Sequence, residues 1–388
     1  MPYREVSEPI AGPEAFRLST DAAILSQAAY LLILGTQLRA QAEVVTARSE
    51  AAVGLQRVEA LPADDLAIFP VPQLRPTAER FRGADIQRRP APRELSESTL
   101  KGIRRGQWKE VADRYSGLVD ELEQKAASST AAELMEACLL HPQPLVRVAA
   151  AWSYLPISAD PPHRLLDVLV QGTRSRDRLT QEVAATALAR YAPAHRRLSA
   201  LTQRMRRRGG NTPPTRTAML VHGTFARNSS WWQPGGDFHN YLLTNVRSDL
   251  YSAGDRFEWS GGYSDAARAQ AASDLGVWIK DHDLAGIDLF GHSHGASVMM
   301  LASHDEPALG ELVLLSCPVH VPKYFPDFSR VTKVVSIRVR LDLVIMADGG
   351  GQRFNDPRIE ENVLPLWFDH SRTHDPGTWQ EYNVPLLL

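Results

Sequence analysis

Gly291-His292-Ser293-His294-Gly295 stands between two unlike stretches. Before it runs Ile287-Asp288-Leu289-Phe290, largely apolar; after it runs Ala296-Ser297-Val298-Met299-Met300-Leu301-Ala302, small and apolar. A buried strand, a Gly-x-Ser-x-Gly turn and a helix make a nucleophile elbow, which holds a serine hydroxyl above the end of a sheet. The turn is sharp enough to strain the serine backbone, and the glycines remove side chains that would collide there. The hydroxyl then faces the positive end of the following helix. The bland reading is a Gly-rich strand–helix turn with no chemistry. A strand on one side, a helix on the other and catalytic partners downstream favour the elbow.

The 388 residues are enough for two or three domains. Hydrophobic content of 44% and charged content of 23% are those of a water-soluble globular chain. A net charge of -2 gives no basis for a nucleic-acid partner. Cys138 and Cys317 lie far apart and fit no metal spacing. They point to a reducing compartment, the cytoplasm, or to indifference to redox, rather than to a disulfide scaffold. The start, Met1-Pro2-Tyr3-Arg4-Glu5, is polar and mixed in charge, unlike a signal peptide. The apolar stretch Ala22 to Leu38 contains Gln27, Gly35 and Thr36 and is short for a membrane span of about 20 residues. It reads as a buried or partner-facing helix rather than a membrane-associated one.

Outward from the elbow, a Gly/Asn/Pro-rich stretch with four arginines before it (Arg204 to Pro214) marks a linker at 209–215 and opens a domain at 216–388. In that domain strands and helices alternate, the pattern of an α/β domain with a mostly parallel sheet of about six strands. Strands are predicted near Ala218–Val221, Arg256–Trp259, Ile287–Phe290, Glu311–Leu315, Lys333–Arg340 and Val363–Phe368. Helices are predicted near Phe238–Asn245, Asp265–Asp281, His294–Ser303 and Gly377–Tyr382. Before the linker the chain is all-α. Residues 1–98 hold an irregular start to about residue 20, a helix from Thr20 or Asp21 to about Leu61, and Pro-rich connectors. Residues 99–208 read as a helical domain. In it Val146-Arg147-Val148-Ala149-Ala150 and Glu182-Val183-Ala184-Ala185 align as two units of a repeat. These units resemble HEAT-type helical repeats, with an ordinary helical bundle as the other reading.

A serine hydroxyl needs a base to take its proton, and the base needs a carboxylate to fix its tautomer. After an elbow of this kind, acid and base follow the serine in chain order. Asp342 stands at the end of the strand Val334–Leu341; Asp348, in a Gly-rich loop, is the alternate acid. His370 follows the last strand by two residues and is within reach of Ser293; His374 is the alternate base. The developing oxyanion needs two preorganised N–H donors. The backbones of His294, after the nucleophile, and Thr224, in the loop His222-Gly223-Thr224-Phe225, are placed to supply them. His222 reads as structural. His222, His292 and His294 are joined by no carboxylate or cysteine at ligand spacing, so no metal is expected. Trp231 and Trp232, Phe225 and Tyr263 sit in loops that point to the ligand-binding edge of such a sheet and are candidate pocket residues, although the paired tryptophans equally suit simple loop packing. Pro318, His320, Pro322, Tyr324 and Phe325 make a further rim.

Leu220-Val221-His222-Gly223-Thr224, Gly291-His292-Ser293-His294-Gly295 and the order Ser293, Asp342, His370 together resemble the α/β-hydrolase superfamily, in its lipase/esterase-like part, over about residues 216–385. The resemblance implies Ser293 as nucleophile, His370 as base, Asp342 as acid, an acyl-enzyme intermediate and no metal or organic cofactor. Two departures stand out. The first strand of the domain already carries the oxyanion loop, and too few residues separate Leu315 from Lys333 for a large cap. The expected activity is cleavage of a small or lipid-like carboxylic ester. The alternatives are an interaction protein that binds a partner through its helical half and keeps a silent hydrolase scaffold, and an acyltransferase or amidase on the same triad.

Overall fold

The computed structural model describes residues 4–5, 20–49, 111–157 except 112, 113, 116 and 123, then 163–202, 218–251, 256–305 and 307–388. The predicted end of the first helix near Leu61, the Pro-rich connectors, the arginine run at 204–208 and the 209–215 linker lie outside the described residues. The chain divides into two compact units, Phe16–Ala192 on one hand and Met1–Ala15 with Pro193–Leu388 on the other.

The first unit is all-helical: α1 (Thr20–Ser49), α2 (Ser128–Cys138), α3 (Pro144–Tyr154), α4 (His163–Gly172) and α5 (Arg178–Tyr191). Pro144 opens α3, where its missing N–H costs nothing, and the Asp177 side chain caps α5 by accepting from Thr180 N at 2.8 Å. The apolar stretch of α1 is interior. Ala28, Ala29 and Leu31 to Leu34 are buried, and Ser153 Oγ of α3 donates to Leu31 O at 2.7 Å. A Cβ on Gly35 would lie 2.5 Å from Ser153 Cβ, so glycine is what lets α1 and α3 cross this closely. Among the described residues, no helix is long and apolar enough to cross a membrane.

The second unit is an α/β unit. Its sheet has the order β1-β6-β5-β4-β3-β2, every pair parallel. The strands are β1 (Arg4–Glu5), β2 (Ala218–Val221), β3 (Asp288–His292), β4 (Leu309–Leu315), β5 (Val331–Val339) and β6 (Glu360–Leu364). Leu312 to Leu315 and Val334 to Val339 are buried without interruption, as expected of parallel strands covered on both faces. The helices of this unit are α6 (Arg196–Thr202), α7 (Asp237–Asn245), α8 (Asp265–Asp281), α9 (His294–Ala302), α10 (Leu343–Asp348) and α11 (Pro376–Glu381). Ser264 fixes the start of α8, its hydroxyl accepting from Ala267 N.

Three elements differ from expectation. Arg256–Trp259 is extended but forms no strand. Its alternation is real, because Phe257 and Trp259 are buried. Yet the Trp259 indole donates to His222 O at 2.7 Å and Arg227 pairs with Glu258, so side chains hold the segment where a ladder was expected. Past β2 there is only a single parallel bridge among the described residues, Ala218 to Leu250. The last strand ends at Leu364, before Pro365, which has no N–H to give a ladder. Pairing resumes beyond it, with Arg340 N on Leu366 O at 2.8 Å and Phe368 N on Leu341 O at 2.8 Å. Finally, the start of the chain is not wholly irregular: Arg4 and Glu5 pair with Asn362 and Val363.

Candidate active site

Ser293 sits where β3 hands over to α9. Its N–H still belongs to the sheet, donating to Leu315 O at 2.8 Å, while its φ of 55° and ψ of -132° are those of neither strand nor helix. Serine rarely adopts this region, and such strain persists only where the surroundings impose it. Here they do so through two glycines. A Cβ on Gly295 would come within 2.3 Å of Val221 O, and one on Gly291 within 2.7 Å of Ala296 N. Both obstacles are backbone, so neither can yield.

Further along the same sheet edge, past the end of β5, Asp342 caps α10. Its Oδ1 accepts from Val344 N at 2.9 Å and Ile345 N at 3.1 Å. Its Oδ2 faces His370, with Nδ1 at 2.7 Å. Both residues are almost fully buried, at 0% and 2% exposure. The resumed pairing after Pro365, including the parallel bridge Asp342 to Phe368, is what brings His370 alongside the acid. Asp369 caps the short 3₁₀ turn His370–His374 by accepting from Ser371 N at 2.9 Å. With Nδ1–H held by a carboxylate, Nε2 of His370 is left as the basic nitrogen.

His292, the residue before Ser293, meets His370. Its ring centroid is 4.5 Å from that of His370, and its Nε2 lies 3.2 Å from His370 O. Nothing in the sequence pointed to this contact, because His292 and His370 are 78 positions apart. The alternate base is placed otherwise. The His374 ring packs 4.2 Å from Trp231 and 4.3 Å from His292, within an aromatic cluster that includes Phe238. Among the described residues the Ser293 hydroxyl has no hydrogen-bond partner; such bonds are commonly long before substrate binds.

The loop expected to offer an oxyanion donor leaves β2 at His222. Phe225, at φ 60°, gives its N–H to Gly261 O at 3.0 Å, and Ala226 N binds Gly223 O. His294 is the first residue of α9 and has no acceptor one turn back in its helix. A Cβ on Gly223 would lie 2.9 Å from Ser293 Cβ, so the loop closes directly over the serine. Trp232 is fully buried, its indole donating to Ala226 O at 2.9 Å, and it holds the loop down. Trp231 packs instead toward His292 and His374.

His222 lies between Trp232 and Trp259, at centroid distances of 4.6 and 5.6 Å. Burial, opposed by the bond to Gly223 O, pushes its imidazole down to about 4. The unfolded chain takes up this proton near pH 6.5 and the folded chain does not. Stability is therefore whole above pH 6.5 and is lost as pH falls toward 4, at up to about 1.4 kcal/mol per pH unit. Melting curves between about pH 7 and 4.5 should fall, and H222Q should flatten part of the slope.

The alternate acid Asp348 belongs to a different set. Its Oδ1 accepts from Tyr263 OH at 2.6 Å and meets His294 Nε2 at 3.0 Å, and its Oδ2 meets His320 Nε2 at 2.5 Å. Burial opposes ionisation of this carboxyl, but His294 and His320 outweigh it and hold it well below the usual carboxylate range. His294 opens α9, His320 follows β4, and Asp348, expected in a Gly-rich loop, is instead the last residue of α10; they lie far enough apart in the chain that no local motif reveals them.

No family model and no curated protein matches the chain. The crystal structure of an uncharacterized protein from Bacillus cereus ATCC 10987 is similar to it over 71% of this chain and 94% of that one, at 11% identity and a TM-score of 0.26. A likeness that slight carries no argument about fold or function.

Proposed function

We propose that this chain is a serine hydrolase of the α/β-hydrolase type that cleaves carboxylic esters. The observation that carries the reading is the pairing of a buried Asp342–His370 dyad with a serine held at φ 55° on a strand–helix turn of the same sheet edge. Ser293 attacks the ester carbonyl while His370 Nε2 takes its proton. Asp342 balances the imidazolium without itself being protonated. The tetrahedral oxyanion is held by the N–H groups of Thr224 and His294. Collapse expels the alcohol, which takes the proton from His370, and leaves an acyl-serine. Water activated by the same imidazole then releases the acid and regenerates the hydroxyl.

A fluorophosphonate probe reads this machinery directly, since only an activated serine attacks phosphorus at a useful rate. The full-length protein should take up one probe, on the peptide containing Ser293. Absence of labelling in folded protein would leave the silent-scaffold reading in its place.

A further inference from the structure

Beyond the hydrolytic reading, and independent of it, we propose that His294, His320 and Asp348 bind one first-row divalent cation of the zinc class. One ligand atom from each lies within 4.8 Å of the others. Three ligands at zinc distances of about 2.1 Å would stand about 3.4 Å apart, so the closure required is small. The two imidazole rings are nearly parallel, at 13°, and both turn Nε2 toward the same carboxylate. Two imidazoles and one carboxylate, with solvent in the fourth position, are a donor set suited to zinc and its neighbours.

The surroundings fit a cation as well as the ligands do. Tyr263 OH already orients the carboxylate. His294 Nδ1 lies 3.1 Å from Ser297 Oγ, and a hydroxyl serves either tautomer. While His294 donates from Nε2 to Asp348, Ser297 donates to Nδ1. When Nε2 turns its lone pair to a metal, the ring proton moves to Nδ1 and Ser297 accepts. Gly350 leaves room, because a Cβ there would crowd His320 Nε2 at 3.1 Å and Asp348 Oδ2 at 3.3 Å. The nearby Arg268 guanidinium pairs with Asp265 at 2.8 Å, a carboxylate it shares with Lys323. An ion can enter past His320, whose side chain is 27% exposed while those of His294 and Asp348 are 3% exposed. The ion would tie the first residue of α9 to the segments after β4 and β5, clamping the backbone N–H that lies next to Ser293.

The test uses full-length protein stripped with chelator, titrated with Zn²⁺ by calorimetry and with Co²⁺ by visible absorption. One ion per chain is expected, with tetrahedral cobalt bands and a melting temperature raised by about 5 °C at 100-fold excess over the dissociation constant. H320A and D348N should each weaken binding at least about 100-fold, since the first removes a ligand and the second replaces the anionic ligand with a neutral amide. S293A should bind as the wild type does, which separates this site from the fate of the hydrolase assignment. Failure to take up a stoichiometric ion, or H320A binding like the wild type, would overturn the proposal. H320A alone decides the matter if D348N does not fold, because His320 is the partly exposed member.

Discussion

Alanine at Ser293 should lower turnover of a p-nitrophenyl ester by about five orders of magnitude and leave a weak background from the oxyanion donors and substrate binding. The size of the effect follows from the mechanism, since removal of the nucleophile removes the covalent path altogether. The fold should not notice. Alanine is as unwelcome at φ 55° as serine is, so the strain of the turn is unchanged, and the lost hydroxyl has no hydrogen-bond partner among the described residues. Melting temperature should therefore stay within about 2 °C of the parent, a shift worth less than about 1 kcal/mol for a unit this size. Steady-state kinetics beside thermal denaturation checks both halves. Activity retained in a folded S293A protein would place the nucleophile elsewhere.

The second large effect belongs to Asp342→Asn. Asp342 has two tasks, one per carboxylate oxygen: Oδ1 caps α10 and Oδ2 holds His370 Nδ1. Asparagine can keep the first, because its carbonyl oxygen accepts the same two N–H bonds and it is as good a cap as aspartate. It fails at the second. Its NH₂ donates to Nδ1, drives the imidazole proton onto Nε2, and leaves the base unable to accept from Ser293. A loss of about 10⁴ in kcat is expected, with little change in KM. Asp342→Ala should lose as much activity and add about 1 kcal/mol of destabilisation from the missing cap. A D342N protein with activity within about tenfold of the parent would mean that another group holds His370, with Asp348 the first to examine.

The elbow was legible in the sequence because every local signal agreed: an apolar strand, two glycines and a helix of small residues. The helix Asp265–Asp281 was equally plain, since Ser264 offers a cap and no proline breaks the run after it. The acid and base were each narrowed to two residues by their distance from a strand end, and the structure joins Asp342 to His370 while giving Asp348 and His374 other partners. What escaped was non-local. Alternating burial at Phe257 and Trp259 imitates a strand, although burial alternates in any extended segment and a ladder needs a neighbour. The two residues of β1 are too few to carry a period. The contacts of His292 with His370, and of His294 with His320 and Asp348, join positions that meet only once the sheet edge is assembled.

The strand formed by Arg4 and Glu5 has a consequence for dissecting the protein. These residues lie against β6, although the whole helical unit intervenes in the chain, so that unit is an insertion within the α/β unit. A fragment cut at the apparent junction and beginning at Pro193 would leave the outer flank of β6 as a raw border of unmet amides and carbonyls. Such a border recruits strands from other molecules. Self-association of that fragment would report on the surgery, not on any assembly native to the intact chain.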